Sequence, residues 1–205
     1  MNDICLCIDL DGFRLEDDFI VREMGWCDKS CLHMGFHHYS HNHKWSTLSK
    51  KEQRTVIYVR DMVTGLTFKP RPEEFQRGSI GLQASVAKDV FALWERFKTP
   101  KQCVVAYKGG TLEKKLLIQL QIPYVNLEDF GCPKFEYLPD YYFSPVHCGC
   151  HLNSRFHCSM PLCVGSIKRH SNTFNKQLLL IVSYLTLDPQ ILNFLGVQIL
   201  KTTFT

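Results

Sequence analysis

The sequence predicts an α/β domain in which helices cover a mixed β-sheet. Apolar segments with strand character come first, the clearest amphipathic helix follows them, and short strands then alternate with helices. This succession is typical of a mixed sheet with helices packed on it. With 205 residues, of which 45% are hydrophobic and 21% charged, the chain can bury a sizeable core.

The first part of the chain is predicted to supply three strands. Residues 3–10 form an apolar run that ends in acids before the turn former Gly12, and residues 19–27 form a second run. Residues 54–60, RTVIYVR, are rich in β-branched side chains and predict the third strand. Residues 28–51 are rich in His, Ser, Lys and Asn and predict a loop or long connection.

The next part predicts two helices and two short strands. Residues 82–98 form an amphipathic helix, residues 103–107 a strand, residues 112–120 a second helix and residues 124–129 a last short strand. The apolar side chains that recur at helical spacing in the first helix are Val86, Val90, Leu93, Trp94 and Phe97.

The character of the chain changes after residue 141. Residues 147–163 are crowded with Cys and His, and residues 164–205 contain a single acid. We therefore predict one domain over residues 1–163 and a divergent C-terminal tail over 164–205.

The composition bears on location and partners. The N-terminus, MNDICLCIDLDGF, has acids where an export signal has basic residues, and the apolar stretch 178–187 is about half as long as a membrane span. These features predict an intracellular protein, cytoplasmic or nuclear, with no signal peptide or transmembrane segment. In such a reducing compartment the ten cysteines are metal ligands or buried small hydrophobes. The net charge of +4 is compatible with a polyanionic partner and does not require one.

Two acids end the first predicted strand. Asp9 and Asp11 are two residues apart, so on a strand they point to the same face. Two carboxylates held close together repel each other unless a cation neutralises them. Mg²⁺ and Mn²⁺ are the cations best suited to such oxygen ligands. The alternative is a solvated turn after the strand.

A third acid opens the second predicted helix. In residues 104–117 a strand and a Gly-containing turn lead into a helix with Glu113 in its first turn, which directs the carboxylate back toward the sheet. The alternative is that Glu113 only stabilises the helix dipole.

The order of these elements resembles the DEDD-type 3′–5′ exonucleases, which have a ribonuclease H-like fold. Asp9-Leu10-Asp11 stands in the place of the family's Asp-x-Glu motif, and Glu113, within residues 112–117, in the place of its second-motif Asp. Residues 22–28 and 64–68 are similar to the family's second strand and to the turn before its first long helix. His157 is the histidine best placed for the third motif. The resemblance covers roughly residues 3–160.

The resemblance implies a two-cation phosphodiesterase site. Asp9, Asp11 and Glu113 would be ligands of Mg²⁺ or Mn²⁺, and His157 would be the general base. The family has an Asp five residues after that His, where this chain has Leu162. After Asp140 the only acid is Asp188, so the fourth carboxylate has no clear candidate.

The Cys- and His-rich segment offers a second kind of metal site. Thiolates and imidazoles are the preferred ligands of tetrahedral Zn²⁺, and Cys150, His151, Cys158 and Cys163 could supply four of them. The alternative is a loop of buried thiols without metal.

Basic residues indicate where nucleic acid would bind. Lys69 and Arg71 lie in the extended stretch KPRPEE, which in the resembling family lies near the substrate strand, and Lys108 lies in the turn before Glu113. The alternative is an ordinary proline-stiffened connection. The histidine-rich run 36–45 could bind a metal or contact phosphates, or be a solvated loop.

Three functions remain open from the sequence. The first is a metal-dependent 3′–5′ exonuclease that acts on single-stranded DNA or RNA. The second is a catalytically inactive exonuclease fold that binds nucleic acid or another partner, and the third is a small zinc-binding protein.

Overall fold

In the part of the chain that the structure describes, alternating and apolar segments form six strands, which pair into one mixed sheet. The computed structural model describes residues 3–72, 74 and 80–132. The spatial order of the strands is β4-β3-β2-β1-β5-β6. In chain order the strands are β1 (Ile4–Arg14), β2 (Phe19–Asp28), β3 (Met34–Ser40), β4 (Ile80–Leu82), β5 (Val104–Tyr107) and β6 (Tyr124–Asn126).

The sheet combines antiparallel and parallel pairing. β1, β2 and β3 form an antiparallel meander, whereas β4 runs parallel to β3, β5 to β1 and β6 to β5. The α-helices of the described residues that accompany it are α1 (Lys50–Tyr58), which continues as a π-helical segment over Val59–Thr64, α2 (Val86–Phe97) and α3 (Thr111–Gln119). A mixed sheet flanked by helices was the predicted fold class, and the structure confirms it.

One predicted strand, residues 54–60, is wrong because this segment is helical. Ser49 and Glu52 form a capping box, in which each side chain accepts a hydrogen bond from the other residue's backbone N–H. This cap satisfies two orphan donors and starts α1, and that local stabilisation outweighs the modest strand preference of the β-branched residues. Only Val56 of α1 is buried.

The third strand lies instead in the segment that was predicted to be a loop. β3 pairs with β2 on one side and β4 on the other, and it buries His38 and Tyr39. Its two histidines conceal the strand pattern in the sequence. Non-local pairing therefore decides the structure here more than composition does.

The two faces of the sheet differ in chemistry. Leu6, Ile8 and Leu10 of β1 pack in an apolar core with α2 and α3, which contribute Val90 and Leu117. Side chains alternate along a strand, so Cys7, Asp9 and Asp11 point to the opposite face. The acids therefore lie on the face that α2 does not cover.

The register of β1 against β2 shifts just after Asp11. The shift falls between Asp11 and Gly12, and a Cβ on Gly12 would overlap the carbonyl group of Ile20. Glycine is required here because the two backbones approach so closely. Beyond the shift, Phe13 and Ile20 pack in a separate cluster with Leu48 and Val56 beneath α1.

The described residues belong to one compact unit. None of the helices in this described part of the chain combines the length and the apolar character that a membrane crossing needs. The predicted boundary between residues 163 and 164 lies outside the described residues.

Candidate functional site

Three ionisable residues stand side by side across the central strands. Asp11 of β1 is paired with Glu23 of β2, and Glu23 is paired with His38 of β3. Directly opposed residues in neighbouring strands point to the same face, so these three side chains and Asp9 share it. We call Asp9, Asp11, Glu23 and His38 the acid row. All four are buried, and Asp11, at 9% exposure, is the most accessible of them.

Glu113 reaches β1 from the start of α3. β1 pairs with β5 as far as Cys7, which lies opposite Ala106. Farther along β1, the Leu10 N–H donates to Glu113 Oε1 at 3.1 Å. The Glu113 carboxylate is buried, with 4% exposure. The structure thus brings Glu113 to the segment of β1 that carries Asp9 and Asp11.

The turn before α3 is shaped to admit this carboxylate. Gly109 has a φ of +83°, which glycine adopts without strain. A Cβ on Gly110, which caps α3, would overlap Glu113 Oε2. The GG pair therefore provides the turn and leaves space for the side chain of Glu113.

Sequence reasoning missed Glu23 and His38. His38 Nε2 lies 2.9 Å from Glu23 Oε2, and both side chains are almost completely buried. An acid inside the apolar run 19–27 was a signal that could have singled out Glu23. His38 lies in the histidine-rich run 36–45, but nothing in that run distinguishes it from its neighbours, and the segment was predicted to be a loop.

Arg22, the neighbour of Glu23, forms hydrogen bonds and an ion pair with other groups. Its guanidinium donates to the carbonyl oxygens of Thr67 (3.0 Å) and Tyr39, and it forms an ion pair with Glu74 at 2.8 Å. The side chains of Arg22 and Glu74 are essentially inaccessible. This buried pair fastens the connection after α1 to the sheet.

The two basic residues of KPRPEE contribute to the same structure. Lys69 Nζ donates to the carbonyl oxygen of His41, and burial together with nearby Arg22 lowers the pKa of Lys69. The Arg71 guanidinium lies 3.5 Å from Glu74, whose carboxylate also accepts the Arg71 backbone N–H at 3.1 Å. Both predicted nucleic-acid contacts therefore have intramolecular partners.

Lys108, the third predicted nucleic-acid contact, is largely buried rather than exposed to solvent. Only 7% of its side chain is exposed, and its ammonium group lies 3.8 Å from Glu128. It lies in the same turn as Gly109, whose N–H donates to Asn126 at 3.1 Å. Lys108 thus supports the turn that leads to Glu113.

The donor chemistry of the site suits a hard cation. Mg²⁺ is commonly held by one or two carboxylates, with water and substrate phosphate completing its shell. Asp9 and Asp11 supply such a pair, and Glu113 lies against the residue between them. Within residues 3–72, 74 and 80–132, no group of three or more His, Cys, Asp or Glu side chains is arranged to hold a metal ion.

The predicted zinc ligands Cys150, His151, Cys158 and Cys163 lie outside the described residues, as does the predicted base His157. The described part has a different cysteine cluster, in which Cys7, Cys27, Cys31 and Cys132 are buried with apolar neighbours. A hydrogen bond with Cys31 favours the Cys27 thiolate, but the hydrogen bond with Cys7 and burial together raise the pKa of Cys27 well above its usual value. Cys27 is therefore a buried neutral thiol.

Comparison with known proteins gives no family for this chain. No protein-family model matches it, and neither a curated protein nor a solved structure shows significant similarity.

Proposed function

We propose that this protein is a metal-dependent phosphodiesterase of the 3′–5′ exonuclease kind, with a ribonuclease H-like fold and a single-stranded nucleic acid as its substrate. The order of elements that carries the resemblance supports this proposal. In the structure the acid-bearing β1 is followed by β2 and β3, then by α1, β4 and α2, and β5 leads into α3, which carries Glu113.

One observation carries the proposal. Glu113 lies 103 residues after Leu10 in the chain, yet its carboxylate accepts a hydrogen bond from the Leu10 N–H, between Asp9 and Asp11. Three buried carboxylates on neighbouring elements are expensive to maintain for stability alone. Such an arrangement is typical of a site that handles cations.

The proposed chemistry assigns a task to each group. Bound Mg²⁺ or Mn²⁺ would supply a nucleophilic hydroxide and neutralise charge on the phosphate. Asp9 and Asp11 would hold the cation, and Glu113 would be a further ligand. A carboxylate has about four lone-pair positions, so one hydrogen bond from Leu10 leaves Glu113 able to act as a ligand. His157 is retained as the proposed general base.

Degradation of a 3′-labelled single strand tests the proposal. Asp9→Asn preserves the shape of the side chain and removes its charge, so we expect metal-dependent degradation to fall by at least about a hundredfold. Asp129→Asn makes the same change at an exposed position and should keep full activity. Equal activity in wild type and Asp9→Asn would contradict the proposal.

A second candidate function is a nucleic-acid-binding module that keeps the exonuclease fold without catalysis. The absence of a preformed three-residue metal group among the described residues favours it, as does the use of Glu113 to tether α3 to β1. Binding of single strands without metal-dependent degradation, in well-folded wild-type protein, would select this candidate.

A further inference from the structure

A cavity of about 340 Å³ opens beside the acid row, at the end of β3. Ser40 and Leu82, which are paired between β3 and β4, form part of its lining. Ser40 follows His38 by two residues, so it lies on the same face of the sheet, about 7 Å farther along the strand. The cavity therefore continues the surface that carries the acid row.

The lining of the cavity combines apolar walls with a few polar groups. Leu82 and Ala84 are exposed and supply apolar surface, and His41, His43 and Gln83 supply nitrogen and oxygen atoms. Pockets for small organic groups typically have this composition and a volume of about 300–1,000 Å³. The volume is sufficient for one nucleobase.

Two of the residues that line the cavity, His41 and Gln83, each have a buried acceptor atom with no hydrogen-bond partner among the described residues. The carbonyl oxygen of Phe68 can only accept, so His41 carries its proton on Nε2, which lies 2.5 Å from that oxygen, and Nδ1 is left as an acceptor. Gln83 donates its amide N–H to the Phe19 carbonyl at 2.9 Å, and its Oε1 is the second acceptor. Burial lowers the pKa of His41 to about 4, so the ring is neutral at pH 7.

We propose that this cavity binds one base of the single strand that the proposed cation site of Asp9, Asp11 and Glu113 cleaves, with a preference for bases that carry an exocyclic amino group. The inference rests on the proposed function, because the strand must pass the acid row to reach the cavity. Amino N–H groups are the complement of two acceptors, and Leu82 and Ala84 would contact the face of the ring. Lys44, which is exposed and follows His43, provides positive charge for the neighbouring phosphate.

His41 Nδ1 and Gln83 Oε1 are both buried, so a base can bond to them only when the residues that line the cavity shift slightly. Binding should consequently be visible at His41 itself. In NMR spectra of the full chain we expect dAMP and dCMP to move the ring signals of His41, and to leave those of His33, at the other end of β3, unchanged.

Binding of a fluorescently labelled dA₅ oligonucleotide, measured by anisotropy in the presence of a chelator, tests the proposal without catalysis. Leu82 is 61% exposed, so Leu82→Glu should fold normally while placing a negative charge in the cavity, and we expect its affinity to fall about tenfold. Leu32→Glu makes the same change at a residue that is 81% exposed in the β2–β3 turn, and it should bind like wild type.

The outcomes separate this proposal from the proposed function. If wild type degrades DNA but Leu82→Glu binds like wild type, the base site is overturned and the nuclease stands. If Leu82→Glu loses affinity while degradation does not depend on Asp9, the base site stands and the nuclease is overturned. Equal competition by dTMP, dAMP and dCMP would refute the preference for amino-bearing bases.

Discussion

Arg22 is among the largest side chains that the fold buries completely, and one carboxylate balances its charge. The ion pair with Glu74 connects β2 to the segment after α1, alongside the hydrogen bonds of Arg22 to two backbone carbonyls. Removing one partner of a buried pair leaves an uncompensated charge, which costs more than the pair itself contributes. Arg22 and Glu74 are for this reason a sensitive point of the fold.

We predict that Glu74→Gln lowers the free energy of unfolding by about 3–5 kcal/mol, because the Arg22 charge stays buried. Glu95→Gln removes an exposed partner of Lys98 and should cost less than about 1 kcal/mol. Urea unfolding followed by circular dichroism measures both values. Similar small losses in the two variants would mean that Arg22 is not held as described.

His41 makes the stability depend on pH. Burial holds its pKa at about 4 in the folded protein, below the ordinary value of 6.5, so the unfolded chain binds the extra proton between these two values. The stability that neutral His41 contributes is complete above about pH 6.5 and is lost as the pH falls toward 4. The loss is on the order of 2–3 kcal/mol.

Unfolding free energies measured between pH 7.5 and pH 4 check this prediction. His41→Gln keeps an N–H for the Phe68 carbonyl but does not titrate, so its curve should be flatter than that of wild type. His33→Gln, at a largely exposed histidine, is the control and should flatten the curve less than His41→Gln does. A His41→Gln curve parallel to wild type would show that His41 is not buried in its neutral form.

The residues of the site could be found from sequence only in part. Asp9 and Asp11 stand out because they end an apolar strand, and Glu113 because it opens a helix. Glu23 and His38 become neighbours only through the pairing of β2 with β3, which is non-local. Local patterns do not encode that register.

At the scale of elements, the helix and strand predictions succeeded where periodicity was strong. The amphipathic pattern of 82–98 and the apolar run 103–107 correspond to α2 and β5. The prediction for 54–60 is wrong for a specific reason: the capping box of Ser49 and Glu52 starts a helix, and its stabilisation outweighs the strand preference of the β-branched residues.

The stability of the protein should depend on the capping box that starts α1. Ser49→Ala removes the hydrogen-bond acceptor for the Glu52 N–H and should lower the free energy of unfolding by about 1 kcal/mol. Ser46→Ala, at an exposed serine outside α1, is the control and should change it by less than about 0.5 kcal/mol. Equal effects of the two substitutions would show that the cap does not stabilise α1.

At the scale of the whole molecule, the sheet order brings Glu113 to the strand that carries Asp9 and Asp11. β5 lies next to β1 although about ninety residues separate them, and α3, which follows β5, carries Glu113 back to β1. The order of elements in the chain predicted this proximity, since strands that alternate with helices form parallel pairs. The position of β4 beside β3 could not be predicted, because it is three residues long and carries no periodic signal.

Titration of Mn²⁺ into the purified full chain, followed by calorimetry, is the most direct test of the central claim that Asp9, Asp11 and Glu113 serve one cation site. The proposal predicts saturable binding in wild type, at least about tenfold weaker binding in Asp11→Asn and Glu113→Gln, and unchanged binding in the control Asp129→Asn. Binding that is equal in all four proteins, or absent from folded wild type, would contradict the claim.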